Sequence, residues 1–162
     1  MADCPTETSI KRMAEEIFSF TKESWLARLA SKNQDDEALS EVQFLTLDVL
    51  VAGTVPQTVG DIQRSIHVVP AQMSRIIRSL ENEFDSPLIR CELNQLDKRC
   101  IDVYLTEEGR ATHTDFLNDR LMRISHFLAD VSAKDRSEFV RICAIMRAAA
   151  KTRSEKQAPT SN

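Results

Sequence analysis

Apolar residues recur at steps of three and four along most of this chain, and the step changes to two only just after Pro87. Side chains repeat every 3.6 residues around a helix and every 2 along a strand. The pattern therefore predicts a mainly α fold interrupted by a single small β-hairpin. The segments Leu88–Leu93 and Cys100–Leu105 both alternate, and the polar stretch Asn94–Arg99 between them makes the loop. With three glycines in 162 residues, the chain lacks the turn-forming residues of a β-sandwich. A chain of this length buries enough surface to fold as one domain without a metal or disulfide.

The helices can be placed from their faces and caps. Ile10, Met13, Ile17, Phe20 and Leu29 define one side of a helix over 9–31, which the polar run Lys32–Ala38 ends. Ser40 and Gln43 have the spacing of a capping box. They open a strongly apolar helix containing Val42, Phe44, Leu45, Leu47, Val49, Leu50 and Val51, with Gly53 as its stop. Thr58 and Asp61 repeat the capping spacing ahead of a short helix with Ile62 and Ile66 inward. Residues 67–69 turn the chain into a further helix. Pro70 is its first residue, where a missing N–H costs nothing. Thr106 caps a long helix with Glu107 and Glu108 in its first turn, and a final helix follows.

Helix, short helix, turn, helix and hairpin in that order form a helix-turn-helix followed by a wing. A major groove admits one helix. Met73, Ile76, Ile77 and Leu80 turn one side of the 70–82 helix inward, which leaves Gln72, Ser74, Arg75 and Arg78 on the other. Gln suits adenine edges, Arg suits guanine edges, and Ser suits either or a phosphate. At the loop of the hairpin, Asn94, Lys98 and Arg99 are placed to reach flanking backbone or minor groove, with Arg90 on the first strand as a phosphate contact. Asp97 lies among these basic residues, where an ion pair with Arg99 would orient it.

Net charge is −4, which argues mildly against a polyanion as partner. Glu81, Glu83 and Asp85, however, cluster at the far end of the 70–82 helix and leave its first half basic. No stretch approaches the about 18 apolar residues of a membrane span, and the N-terminus lacks the apolar core of a signal peptide. A cytoplasmic protein is expected, with Cys4, Cys91, Cys100 and Cys143 as thiols and no cofactor or metal. His113 and His126 fall on different faces of the long helix and make a poor metal pair. There is no phosphate-binding glycine loop, nucleophile elbow or H-E-x-x-H, so no enzyme is expected.

The stretch from Leu39 to Gly109 resembles the MarR (multiple antibiotic resistance regulator) family of winged helix-turn-helix transcription factors. L-S-E-V-Q-F-L-T-L, T-V-G-D-I, M-S-R-I-I-R-S-L-E, L-I-R, D-K-R and V-Y-L-T-E-E-G carry the likeness. Asp-x-Arg followed closely by Leu-Thr-x-x-Gly is the most specific part. The resemblance implies a homodimer on a pseudo-palindromic site in double-stranded DNA, controlled by a small-molecule effector or an oxidant near the dimer–wing junction. On this reading 39–105 is the DNA-binding part, 9–31 and 106–152 are dimerisation helices, and 153–162 is a disordered tail. Ser74 and Arg75 become the major-groove residues, Arg99 the wing-tip residue and Asp97 its orienting partner.

Two alternatives share the scaffold. One is a winged helix that binds another protein. The other is a thiol-based redox sensor, for which Cys91 and Cys100 on facing hairpin strands, or Cys4, are the candidates, although two half-buried strand thiols are the expected state of Cys91 and Cys100.

Overall fold

The computed structural model describes residues 7–31 and 39–157. The elements run α1 (Glu7–Ser31), α2 (Glu41–Ala52), β1 (Gln57–Thr58), α3 (Val59–Ile66), α4 (Pro70–Asn82), β2 (Ile89–Leu93), β3 (Ile101–Leu105), α5 (Glu107–Ala129) and α6 (Ala133–Gln157). This is the mainly helical winged arrangement expected from the period change. The loop 32–38 and Cys4 lie outside the described residues. Helix α6 continues to Gln157, five residues into the stretch expected to be a disordered tail, and 158–162 are outside the description.

Both capping boxes form. Ser40 accepts from the Gln43 amide at 3.3 Å while the Gln43 side chain accepts from Ser40 N–H at 2.7 Å. Thr58 and Asp61 do the same at 3.1 and 3.2 Å. Each box satisfies two helix-end donors that would otherwise lack a partner. Gln43 also donates to the Ser79 hydroxyl at 2.7 Å, which ties the start of α2 to the last turn of α4. Val69 stands at the α4 N-cap without a side-chain bond, and its carbonyl accepts from Gln72 and Met73.

The core gathers one face from each helix of the winged part and from two strands: Leu47 and Leu50 of α2, Ile62 of α3, Met73, Ile76 and Leu80 of α4, Ile89 of β2 and Val103 of β3, closed by Leu39 and Leu88. Leu45, read from the sequence as part of a buried helix, is exposed instead, because the face it occupies carries no partner in the single chain. The sheet has three strands rather than two. The two-residue β1 pairs antiparallel with β3, Gln57 opposite Val103, and makes the order β1-β3-β2. In β2 and β3, Cys91 opposes Val103 and Leu93 opposes Ile101.

Beyond this core and the partly buried residues packed on it, such as Phe44 and Phe116, many apolar residues are open. Ile10, Met13, Ile17, Phe18, Phe20 and Trp25 of α1 are exposed, as are Leu121, Met122, Ile124 and Phe127 of α5 and Phe139, Val140, Ile145 and Met146 of α6. No helix among the described residues is long and apolar enough to cross a membrane.

Candidate nucleic-acid interface

Helix α4 separates its two faces cleanly. Met73, Ile76 and Leu80 are buried, and Gln72, Ser74, Arg75 and Arg78 are exposed. The turn that aims it passes through His67, whose φ of 55° is the left-handed conformation, unique among the described residues. One residue there reverses the direction between α3 and α4. Ser74 donates its hydroxyl proton to the Pro70 carbonyl at 3.1 Å, so its oxygen remains available as an acceptor. Among the described residues, Arg75 and Arg78 form no ion pair. The carboxylates that balance them in the sequence lie at the α4 C-terminus and beyond. Glu81 there is engaged in accepting the Cys91 amide proton at 3.2 Å.

The wing is built around Asn94. Its Oδ1 accepts the amide protons of Leu96 and Asp97 at 2.9 and 2.8 Å, and its Nδ2 donates to both oxygens of Asp102 at 2.9 and 3.0 Å. A side chain so occupied shapes the loop and has little left for an external partner. Asn94, expected to contact DNA, thus holds the tip. Asp97 acts similarly, accepting the backbone N–H of Arg99 at 3.0 Å. No guanidinium ion pair with Arg99 forms among the described residues, so the geometry orients the main chain and leaves the Arg99 charge free. Lys98 and Arg99 are exposed, and neither forms an ion pair among the described residues. Arg90 is engaged. Its Nε lies 3.1 Å from Glu92, and its guanidinium sits 5.2 Å from the Tyr104 ring centroid. No local pattern marks Asp102 or Tyr104 for these supporting positions, since each meets its partner across the hairpin.

The thiols of the hairpin do not face each other. Cys91 opposes Val103, three residues along from Cys100, or about 10 Å of strand. Burial, with Glu81 beside it, pushes the Cys91 thiol up to about 11. Cys100 is also raised, by desolvation and by Asp97. Both shifts favour the unreactive thiol over the thiolate. Among the described residues no cluster of side chains suits a metal ion.

The fold is that of winged helix-turn-helix regulators. No protein-family model and no curated protein sequence matches the chain. Among solved structures, it is similar to the YusO protein from Bacillus subtilis, with 19% identity, a TM-score of 0.67, and coverage of 92% of this chain and 99% of that one. It is similar to Streptococcus pneumoniae FabT in complex with DNA, with 15% identity, a TM-score of 0.69, and 88% and 98% covered. It is also similar to the PcaV transcriptional regulator from Streptomyces coelicolor in complex with its natural ligand, with 19% identity, a TM-score of 0.53, and 93% and 98% covered. At these identities the likeness is one of fold, and it spans nearly the whole of each chain.

Proposed function

We propose that the chain is a sequence-specific DNA-binding transcriptional regulator, not an enzyme, and that it works as a homodimer whose affinity is modulated by a small ligand. The observation that carries this reading is the exposed face of α4, where Gln72, Ser74, Arg75 and Arg78 project from a helix anchored by Met73, Ile76 and Leu80. Beside it stands a wing with free Lys98 and Arg99. A helix for the major groove with a cationic ribbon next to it is the equipment of groove recognition plus phosphate contact. Arg90 adds charge on the wing, moderated by Glu92.

The dimer is supported by the many large apolar residues left open on α1, α5 and α6, more than the singly scattered ones of a monomer surface. Two copies joined there carry two α4 helices, and half-sites about 10 base pairs apart follow. The neighbours solved with DNA and with a natural ligand support both partners.

The test is selection of duplexes from random DNA, followed by titration across salt concentrations and sedimentation of the free protein. A palindromic winner, a steep fall of affinity with salt and a dimeric mass are expected. A monomer, or binding that ignores salt, overturns the reading.

A further inference from the structure

The most exposed large apolar side chain of the described residues is on the wing. Leu96 is 98% exposed and stands at the tip, between Gln95 and Asp97. The loop around it is fastened on every side. The Asn94 N–H donates to the Cys100 carbonyl at 3.0 Å, and the Cys100 N–H donates to the Asp97 carbonyl at 2.9 Å. Leu96's own N–H is held by Asn94 at 2.9 Å, and Asn94 is held in turn by Asp102. A leucine on a slack loop would fold back onto the exposed Leu93 and Ile101 at the end of the ribbon. This one is kept pointing into water, with the free cations Lys98 and Arg99 just beyond it.

From this placement, and resting on the DNA-binding reading above, we infer that Leu96 is a specificity-determining residue that enters the minor groove. There its side chain packs against the sugar walls while Lys98 and Arg99 engage the phosphates that line them. Minor-groove proteins bring apolar side chains, leucine included, into the groove beside basic ones, commonly as wedges at a base step. The chemistry carries a preference. A·T pairs present only acceptors on the groove floor, whereas G·C adds the guanine 2-amino group. Leucine offers that amino group no acceptor and meets it sterically. Leu96 therefore favours A·T in the sequence flanking each half-site, at positions that α4 does not read.

Poly(dI-dC) and poly(dG-dC) isolate the effect, because they share their major-groove edges and differ in the 2-amino group. The full-length protein is titrated with both polymers by competition against a labelled duplex, alongside Leu96→Ser and Leu96→Met. Wild type should prefer poly(dI-dC) by about fivefold to tenfold, at the low end of what a hydrogen-bonded base discrimination gives, because leucine discriminates by shape alone. Leu96→Ser should lose most of that preference through weaker binding to poly(dI-dC), with the same salt dependence as wild type because no charge is removed. Leu96→Met should retain it. If Leu96→Ser keeps the wild-type preference, or weakens both polymers equally, the inference is overturned while the DNA-binding reading stands. A change in self-association in Leu96→Ser would assign the residue to an interface between copies and overturn it too. A wild-type protein that binds the labelled duplex while neither polymer competes overturns this inference alone, and one that does not bind the duplex either removes both readings together.

Discussion

Gly109 lies so close to Leu88 that a Cβ built on it would stand 2.0 Å from the Leu88 carbonyl oxygen. That carbonyl also accepts the Thr106 N–H at 3.2 Å, and Thr106 caps α5 while donating its hydroxyl to Pro87 at 2.8 Å. The Leu-Thr-x-x-Gly signal is thus the clamp that fixes α5 to the base of the wing. Only a residue without a side chain permits the approach.

Gly109→Ala should cost about 1–3 kcal/mol or more, since backbone rather than a pliable side chain must move. Gly60→Ala is the control. A Cβ there meets nothing nearer than 3.7 Å, so alanine's better helix propensity should leave stability equal or raised by about 0.5–1 kcal/mol. Urea denaturation at one fixed protein concentration measures both. Equal costs at the two glycines would contradict the clamp.

The second joint between the winged part and α5 is His113, 5% exposed, stacked on Phe44 with ring centroids 4.9 Å apart and planes 3° from parallel. Its Nε2 lies 3.0 Å from Asp48. Phe116 continues the stack, and Arg120 lies over Phe116 while its two terminal nitrogens bond Glu41 at 3.0 and 2.6 Å. His113→Ala should destabilise by about 2–4 kcal/mol, through the cavity and the missing stack. His113→Phe keeps the stack and should cost about 1 kcal/mol, the worth of one hydrogen bond. Denaturation midpoints of the two variants that coincide would show that the stack contributes nothing.

Features encoded within a few neighbouring residues are legible in the sequence alone: the caps at Ser40, Thr58 and Thr106, Pro70 opening α4, and the outward set Gln72, Ser74, Arg75 and Arg78. Each depends on local hydrogen bonding or on helical period. What escapes such a reading depends on register and long-range packing. The strand at Gln57–Thr58 is too short for a period and exists because Val103 and Asp102 lie beside it. The role of Asn94 follows from Asp102 being eight residues away and across the ribbon, and the His113–Asp48 contact spans 65 residues. Cys91 and Cys100 are the half-buried thiols the alternation suggests, but that they do not oppose each other is a matter of register, which alternation does not set.

Asp61 makes part of the stability of α3 dependent on pH. The Thr58 hydroxyl donating to its carboxylate holds its pKa below the usual 3.8, helped by the Thr58 backbone N–H and, less, by Arg64, against the opposing effect of burial. A carboxyl depressed in the folded state stabilises the fold above the unfolded value, and the contribution is lost as pH falls through the folded value. The group is half-exposed, so solvent screening keeps the effect small. Asp61→Ala should therefore unfold at a lower temperature than wild type at neutral pH, and the gap should narrow once pH drops below about 4. A gap that widens on acidification would reverse the sign and exclude this linkage.

Arg75 and Lys98 separate recognition from attraction. Arg75 sits on the exposed face of α4 one residue after Ser74, without an ion pair among the described residues, its backbone fixed by the buried Met73 and Ile76 on either side. An arginine so placed can bond a guanine edge with two donors. Arg75→Ala should cost about 1–3 kcal/mol on the selected duplex and relax the preference at one base pair of each half-site. Lys98 is on the wing tip, where a phosphate contact is indifferent to sequence. Lys98→Ala should weaken selected and random duplexes alike and lower the slope of log affinity against log salt by about one for each phosphate no longer neutralised. Anisotropy titrations of both variants on both duplexes distinguish the two roles. If Arg75→Ala weakens random DNA as much as the selected sequence, α4 supplies charge without reading bases.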